Sequence, residues 1–144
     1  MTTPIKYYAN IDQGRVRDNN EDTFCAKKIW SDKYLLLVVV DGCGGYEGGE
    51  VASELAKNII VDYLSAPSST IRLEQLKQAV ITANNKVVNM RNSEMRLANM
   101  GFTAAIVDED NGLLFIAHVG DTRCYVFDEK ILKKVTRDHS LVGE

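Results

Sequence analysis

The apolar positions of this chain change their period twice, and the changes divide it into three stretches. Residues 34–40 (YLLLVVV) are continuously apolar and β-branched toward the end, as in a strand covered on both faces. Asp41 ends the run. From Gly49 the apolar residues are Val51, Ala52, Leu55, Ala56, Ile59, Ile60, Tyr63 and Leu64, a stripe at i, i+4, i+8 that stops before Pro67 and predicts a helix. A second stripe of Leu73, Leu76, Val80, Ala83 and Val87 fades near Arg91, with Ser69 or Thr70 placed to cap it. After Met100 the period becomes that of strands, over residues 102–107, 113–119, 123–127 and 131–135. Asn111-Gly112 between the first two predicts a two-residue hairpin, because both central residues of a type I′ turn need positive φ. Residues 6–11 and 23–30, rich in Tyr, Ile, Phe and Trp, read as two further strands. Strands around a pair of helices, without strict βαβ alternation, predict an α+β domain with helices laid on an antiparallel sheet.

Composition narrows the class. At 144 residues, 45% hydrophobic and 26% charged, the chain can bury one core. A net charge of −3 with no stripe of Lys or Arg excludes the footprint of a nucleic-acid binder. The longest apolar run, Leu35 to Val40, is too short to span a bilayer, and residues 1–10 lack a signal core, so no membrane segment and a cytoplasmic location are expected. Cys25, Cys43 and Cys124 form no CxxC pair and read as reduced thiols, two of them core fillers.

The run VVVDGCGGYEGGE at residues 38–50 is where chemistry concentrates. A dinucleotide fingerprint would need glycine where Glu47 stands, and a phosphate-cradling P-loop would need lysine where Glu50 stands. An EF-hand loop would need acids or amides where Cys43 and Gly45 stand. What remains is a carboxylate at a strand end, followed by a backbone carbonyl free to turn inward, an oxygen set that suits a hard cation such as magnesium or manganese. Further acids lie in Asn20-Glu21-Asp22, preceded by Arg15 and Arg17, and at Asp121 after Val119-Gly120. Taken singly, each is more commonly a solvated loop acid than a ligand. Three consecutive residues cannot align as acid, base and nucleophile, so Asp138-His139-Ser140 is no catalytic triad. His118 reads as a hydrogen-bonded strand residue, Trp30 as packing, and Thr103 as either a core residue or a polar contact.

Five motifs then occur in one order: R-x-x-N-E-D (Arg17 to Asp22), V-V-V-D-G-x-G-G with G-E-V-A-S downstream (to Ser53), G-F-T-A-A (Gly101 to Ala105), H-V-G-D-T-R (His118 to Arg123) and T-R-D-H-S (Thr136 to Ser140). Together they resemble the metal-dependent serine/threonine protein phosphatases of type 2C, particularly their bacterial branch. The resemblance implies a sandwich of two antiparallel β-sheets flanked by helices, with residues 1–144 the N-terminal portion of one catalytic domain. It casts Asp41 as the carboxylate bridging two Mn2+ or Mg2+ ions and the Gly42 carbonyl as a ligand of one. Glu21 and Asp22 resemble the acids that hold metal-bound waters, and Asp121 the acid of a weaker third metal. Arg17 stands where the family places a guanidinium on the substrate phosphate, which its fork matches. The reaction implied is hydrolysis of a phosphoserine or phosphothreonine ester by a metal-bridging water, without a covalent enzyme intermediate. The partners implied are a phosphorylated protein substrate and an opposing serine/threonine kinase.

Two departures from the family pattern matter. Cys43 stands where many members carry histidine directly after the D-G pair, and Tyr46 replaces another frequent histidine. A neutral thiol is a poor general acid, and nothing in the sequence equips Cys43 as a nucleophile. The chain also ends at Glu144, whereas the family's domains continue and supply two more aspartates. The expectation is a fragment of an enzyme, completed by a longer chain or by a site-completing dimer. The alternative is a phosphatase-like module without turnover that binds a phosphoprotein or a partner.

Overall fold

The computed structural model describes residues 4–42, 49–66, 72–93 and 100–139. Their elements are β1 (Thr23–Lys28), β2 (Tyr34–Asp41), α1 (Gly49–Ser65), α2 (Arg72–Ser93), β3 (Gly101–Asp108), β4 (Leu113–Val119), β5 (Tyr125–Asp128) and β6 (Ile131–Lys134). Strands β1 to β4 form one antiparallel sheet in chain order, and β5 pairs with β6 in a separate two-stranded sheet. The α+β class is therefore as expected. Cys43, Tyr46, Glu47, the helix caps Ser69 and Thr70, and Ser140 lie outside the described residues.

Register decides which side chains meet the helices. Val38 pairs with Cys25 and Ala104, and Ala104 with Ala117; Val40, Phe102 and Val119 make the next row. Side chains alternate along a strand, so these rows share one face. Ala56, Ile60 and Leu64 of α1, and Leu76, Ala79, Val80, Ala83 and Val87 of α2, pack with them into one core. The buried row of α1 is narrower than its apolar stripe. It follows the i+4 ridge from Ala52 to Leu64, leaving Val51 and Tyr63 exposed, and Leu73 of α2 is exposed likewise.

Four sequence expectations change. Residues 6–11 form no strand, since no neighbouring strand takes up their backbone, and Tyr8 is 84% exposed. Strand β2 is covered on both faces only at its start, where Leu35 and Leu36 are both buried; toward its end it is sealed on the helix side alone. Leu36, Val38 and Val40 are buried there, while Val39 on the other face is 51% exposed. The β3–β4 connection is a four-residue loop, Glu109 to Gly112, closing on the pair Asp108–Leu113. Only Gly112 has positive φ, at 63°, because the Asp108 carboxylate accepts hydrogen bonds from the Asn111 backbone N–H (3.1 Å) and Nδ2 (2.8 Å) and holds Asn111 on the ordinary side of the φ map. Finally, β5 begins at Tyr125: the Cys124 backbone N–H is taken by the Thr136 hydroxyl (3.0 Å), and the Arg123 side chain reaches both oxygens of Asp138 (Nε to Oδ1 3.2 Å, Nη2 to Oδ2 2.6 Å).

Every residue of β5 and β6 is exposed. The hairpin is tethered through its flanks: Thr122 bonds to Thr103 of β3 and the Arg137 carbonyl to His118 of β4. Thr103 and His118 are cross-strand partners whose side chains alternate with those of Phe102 and Val119, so they occupy the face turned away from the helices.

Candidate active site

Antiparallel pairing delivers acids to one end of the large sheet. Asp41 is the last residue of β2 and pairs with Gly101, the first of β3. Thr23 opens β1 opposite Val40, so Asn20, Glu21 and Asp22 enter the sheet beside Asp41. Strand β4 ends at Val119 opposite Phe102, which carries Gly120 and Asp121 alongside Gly101. Three segments far apart in sequence thus converge because the strands that carry them end at the same level.

Glycine permits the convergence. A Cβ on Gly42 would lie 2.4 Å from the Glu21 carbonyl oxygen and 2.8 Å from that of Gly49, so three backbones meet where only a hydrogen fits. The same holds at the β4 end. Gly120 has φ of +93°, and its Cβ would lie 2.4 Å from Gly101 Cα. Glu21 also serves the helix: its carboxylate packs on Gly49, the first residue of α1, where free N–H groups and the helix dipole favour an anion.

The cavity at this end has a volume of about 290 Å3 and is lined by Asp12, Gln13, Arg17, Asn19, Asn20, Glu21, Asp22, Asp41 and Gly42. Asp41 is only partly exposed, and its carboxyl is pushed up from 3.8 to about 6. Burial contributes most, followed by the charge of Asp22 and a carboxyl–carboxylate hydrogen bond with it, then by the charges of Asp121 and Glu21. The acids crowd one another. Arg17 is the cavity's only cationic side chain among the described residues, and its guanidinium makes no ion pair there. Its backbone is fixed instead, with Gln13 Nε2 donating to the Arg17 carbonyl at 2.8 Å.

Of the six residues singled out from sequence, Arg17, Glu21, Asp22, Asp41 and Gly42 line this cavity, and Asp121 stands beside it within reach of Asp41 by charge. No three Asp, Glu, His or Cys side chains among the described residues converge on one point as metal ligands would. The donor chemistry nevertheless fits a hard divalent ion. It is all oxygen, it is anionic, and the raised Asp41 carboxyl marks charge repulsion that a cation would relieve. Sequence reading missed Asp12, Gln13 and Asn19 in the lining, and it missed Asn20 as an organiser. Asn20 Oδ1 accepts the Asp22 backbone N–H at 3.0 Å, an Asx turn that an Asn two residues before an acid can signal. His118 and Thr103 prove to be bonded to each other, Thr103 Oγ1 to His118 Nδ1 at 2.9 Å.

The sequence profile of the family described as Protein phosphatase 2C matches residues 12–141. The chain belongs to that family. Among curated relatives, the serine/threonine phosphatase stp of Listeria innocua is 34% identical over 137 residues, covering 92% of this chain and 54% of its own. The serine/threonine protein phosphatase PstP of Mycobacterium tuberculosis is 31% identical over 142 residues, covering 99% of this chain and 26% of its own. The solved PstP structure superposes with a TM-score of 0.72 at 31% identity, over 92% of this chain and 54% of that one. The PstP catalytic domain in complex with two manganese ions superposes with a TM-score of 0.70 at 30% identity, over 92% and 55%. This member of the Protein phosphatase 2C family thus spans about half the length of the first Listeria relative it matches.

Proposed function

We infer that this chain carries part of the active site of a metal-dependent phosphatase that hydrolyses phosphoserine or phosphothreonine esters in proteins. The observation that carries the reading is the cavity in which a partly buried Asp41, raised to about 6 among other acids, faces an arginine with no ion pair of its own among the described residues. Relatives named as serine/threonine phosphatases, and a neighbour solved with two manganese ions, support the same chemistry. Asp41 and the Gly42 carbonyl would be the direct ligands of bound metal, Asp22 and Glu21 would hold its waters, and Asp121 would serve a further ion. Bound Mn2+ or Mg2+ would supply a water of lowered pKa and neutralise phosphoryl charge. Arg17 would bind two phosphate oxygens through its planar fork. Glu21 is held against the first turn of α1. The substrate would be a phosphoprotein made by a serine/threonine kinase, met in the cytoplasm.

A second reading has its own support. Since no three ligand side chains converge among the described residues, this chain could bind a phosphorylated partner without turnover. One experiment separates them: phosphate release from a phosphothreonine peptide with and without manganese, beside Asp41→Asn. Manganese-dependent release abolished by Asp41→Asn is the result expected if the site is completed, as by a second copy of the chain, and manganese binding that needs Asp41 without release is the result expected of a part of it. Peptide binding that needs Arg17, with no release and no manganese bound, would replace it with the binding module.

A further inference from the structure

Beyond the acids themselves, the face of the sheet turned away from the helices holds a chain of hydrogen bonds that no metal or phosphate role explains. We propose that Thr103, His118 and Thr122 form a one-way hydrogen-bond relay that positions Asp121, and that Thr122 is its terminal positioning residue. The proposal rests on the reading of Asp121 as part of the acidic site.

The direction of the relay follows from counting donors. A carbonyl can only accept, so the 3.0 Å contact between His118 Nε2 and the Arg137 oxygen puts the ring proton on Nε2. In the neutral ring Nδ1 is then an acceptor, and Thr103 Oγ1 at 2.9 Å donates to it. With its single proton spent, Thr103 must accept from Thr122 Oγ1, which lies 2.6 Å away. The reverse arrangement fails, because Thr122 is 3.5 Å from His118 Nδ1 and is the poorer donor to it. Both threonines are buried, 7% and 8% exposed, so an unmet hydroxyl there would carry a desolvation cost.

The relay ends one residue after Asp121, and the turn it holds is fixed on two other sides. Gly120 lies against Gly101 with no room for a Cβ, and a Cβ on Gly101 would be 3.3 Å from Asp121 Oδ1. Gly120 exchanges backbone contacts with His139, donating to its Nδ1 (3.3 Å) and accepting from its N–H (2.7 Å). The ends of strands β3 and β4, the turn at residues 120–123 and the segment at 136–139 are therefore joined by contacts on several sides. Thr122 supplies the buried side-chain bond nearest Asp121 on its C-terminal side, to Thr103 Oγ1 at 2.6 Å.

The test compares the 144-residue chain with Thr122→Val, which keeps the shape and removes the proton, and with Thr122→Ser, which restores it. Without metal, nuclear Overhauser contacts between Asp121 and Gly101 should weaken in Thr122→Val while those between Phe102 and Val119 persist, and Thr122→Ser should recover them. Unchanged Asp121–Gly101 contacts in a folded Thr122→Val chain would overturn the proposal. The wild-type His118 ring gives an arm that survives if Thr122→Val fails to fold: nitrogen spectra should show protonated Nε2 and bare Nδ1, and the opposite tautomer would overturn the relay. Manganese titration of the same samples reads the metal assignment separately. If the wild type binds, half-saturation should rise roughly tenfold in Thr122→Val and return in Thr122→Ser. A wild type that binds none removes the metal reading of this chain, and the relay is then judged by the metal-free contacts.

Discussion

Replacing Asp41 by Asn should make the metal-free protein more stable at neutral pH. Asp41 holds its proton up to about 6 in the fold against 3.8 ordinarily, so between these values the folded chain binds more protons than the unfolded one. Stability therefore falls as pH rises from about 4 to about 6, and above that range the full cost of an ionised Asp41 is present. At about 1.4 kcal/mol for each pH unit, the interval sets a ceiling of about 3 kcal/mol. The carboxyl keeps contact with water in an open cavity, which screens the repulsion from Asp22, Asp121 and Glu21, so about 1–2 kcal/mol is the working figure. Urea unfolding in EDTA at pH 7.5 should show Asp41→Asn with the higher midpoint and an unchanged slope. Well below 3.8, where Asp41 is protonated in both states, the two proteins should converge. An Asn variant no more stable than wild type at pH 7.5 would refute the reasoning, since the acids would then not be crowding Asp41 in the way that makes it a cation site. Added manganese should reverse the order if the site binds it, because an ion stabilises only the fold that holds it.

Other predictions follow from particular contacts. Gly120→Ala combines a positive φ with a Cβ 2.4 Å from Gly101 Cα, and should cost about 2–4 kcal/mol in urea unfolding, whereas a substitution at Gly14, where a Cβ meets nothing within 4 Å, should lack the clash component. Phe102→Ala empties the largest fully buried side-chain site among the described residues and should cost about 3–5 kcal/mol by the same measurement. Asn111→Ala removes the Nδ2 donor to Asp108 and leaves the backbone N–H; that side-chain bond is the largest cause holding the Asp108 carboxyl below its ordinary value. That stabilisation is present above 3.8 and lost as pH falls through the lower folded value, so the variant should lose about 1 kcal/mol at pH 7 and approach wild type in strong acid. Arg17→Ala should leave the unfolding midpoint within about 0.5 kcal/mol of wild type and weaken phosphopeptide binding about tenfold, measured by titration.

How much of this was readable from the chain depends on whether the deciding contact is local. The stripes of α1 and α2 and the β3–β4 pairing are set by spacing along one segment, and the positions of Asp41 and Asp121 after apolar runs mark strand ends directly. Residues 6–11 have a strand's composition and no strand's structure, because a strand needs a neighbour that its own residues cannot specify. The Asn111-Gly112 turn failed for a related reason: the Asp108 side chain competes for the Asn111 N–H groups, and that choice is made outside the dipeptide. The site shows the same division. Sequence could name its acids, but the value of about 6 at Asp41 arises from charges that only the aligned ends of β1, β2 and β4 bring together. Thr103, His118 and Thr122 are the far case. They sit 15 and 19 residues apart, and each alone is an ordinary strand or loop residue. Thr103 was left open between a core residue and a polar contact, and it is both. The β3–β4 register puts it opposite His118, while its burial requires that its hydroxyl find a partner. The register that aligns the acids therefore also assembles the hydrogen bonds beneath one of them, so a shift of one residue in β3 against β4 would undo both at once.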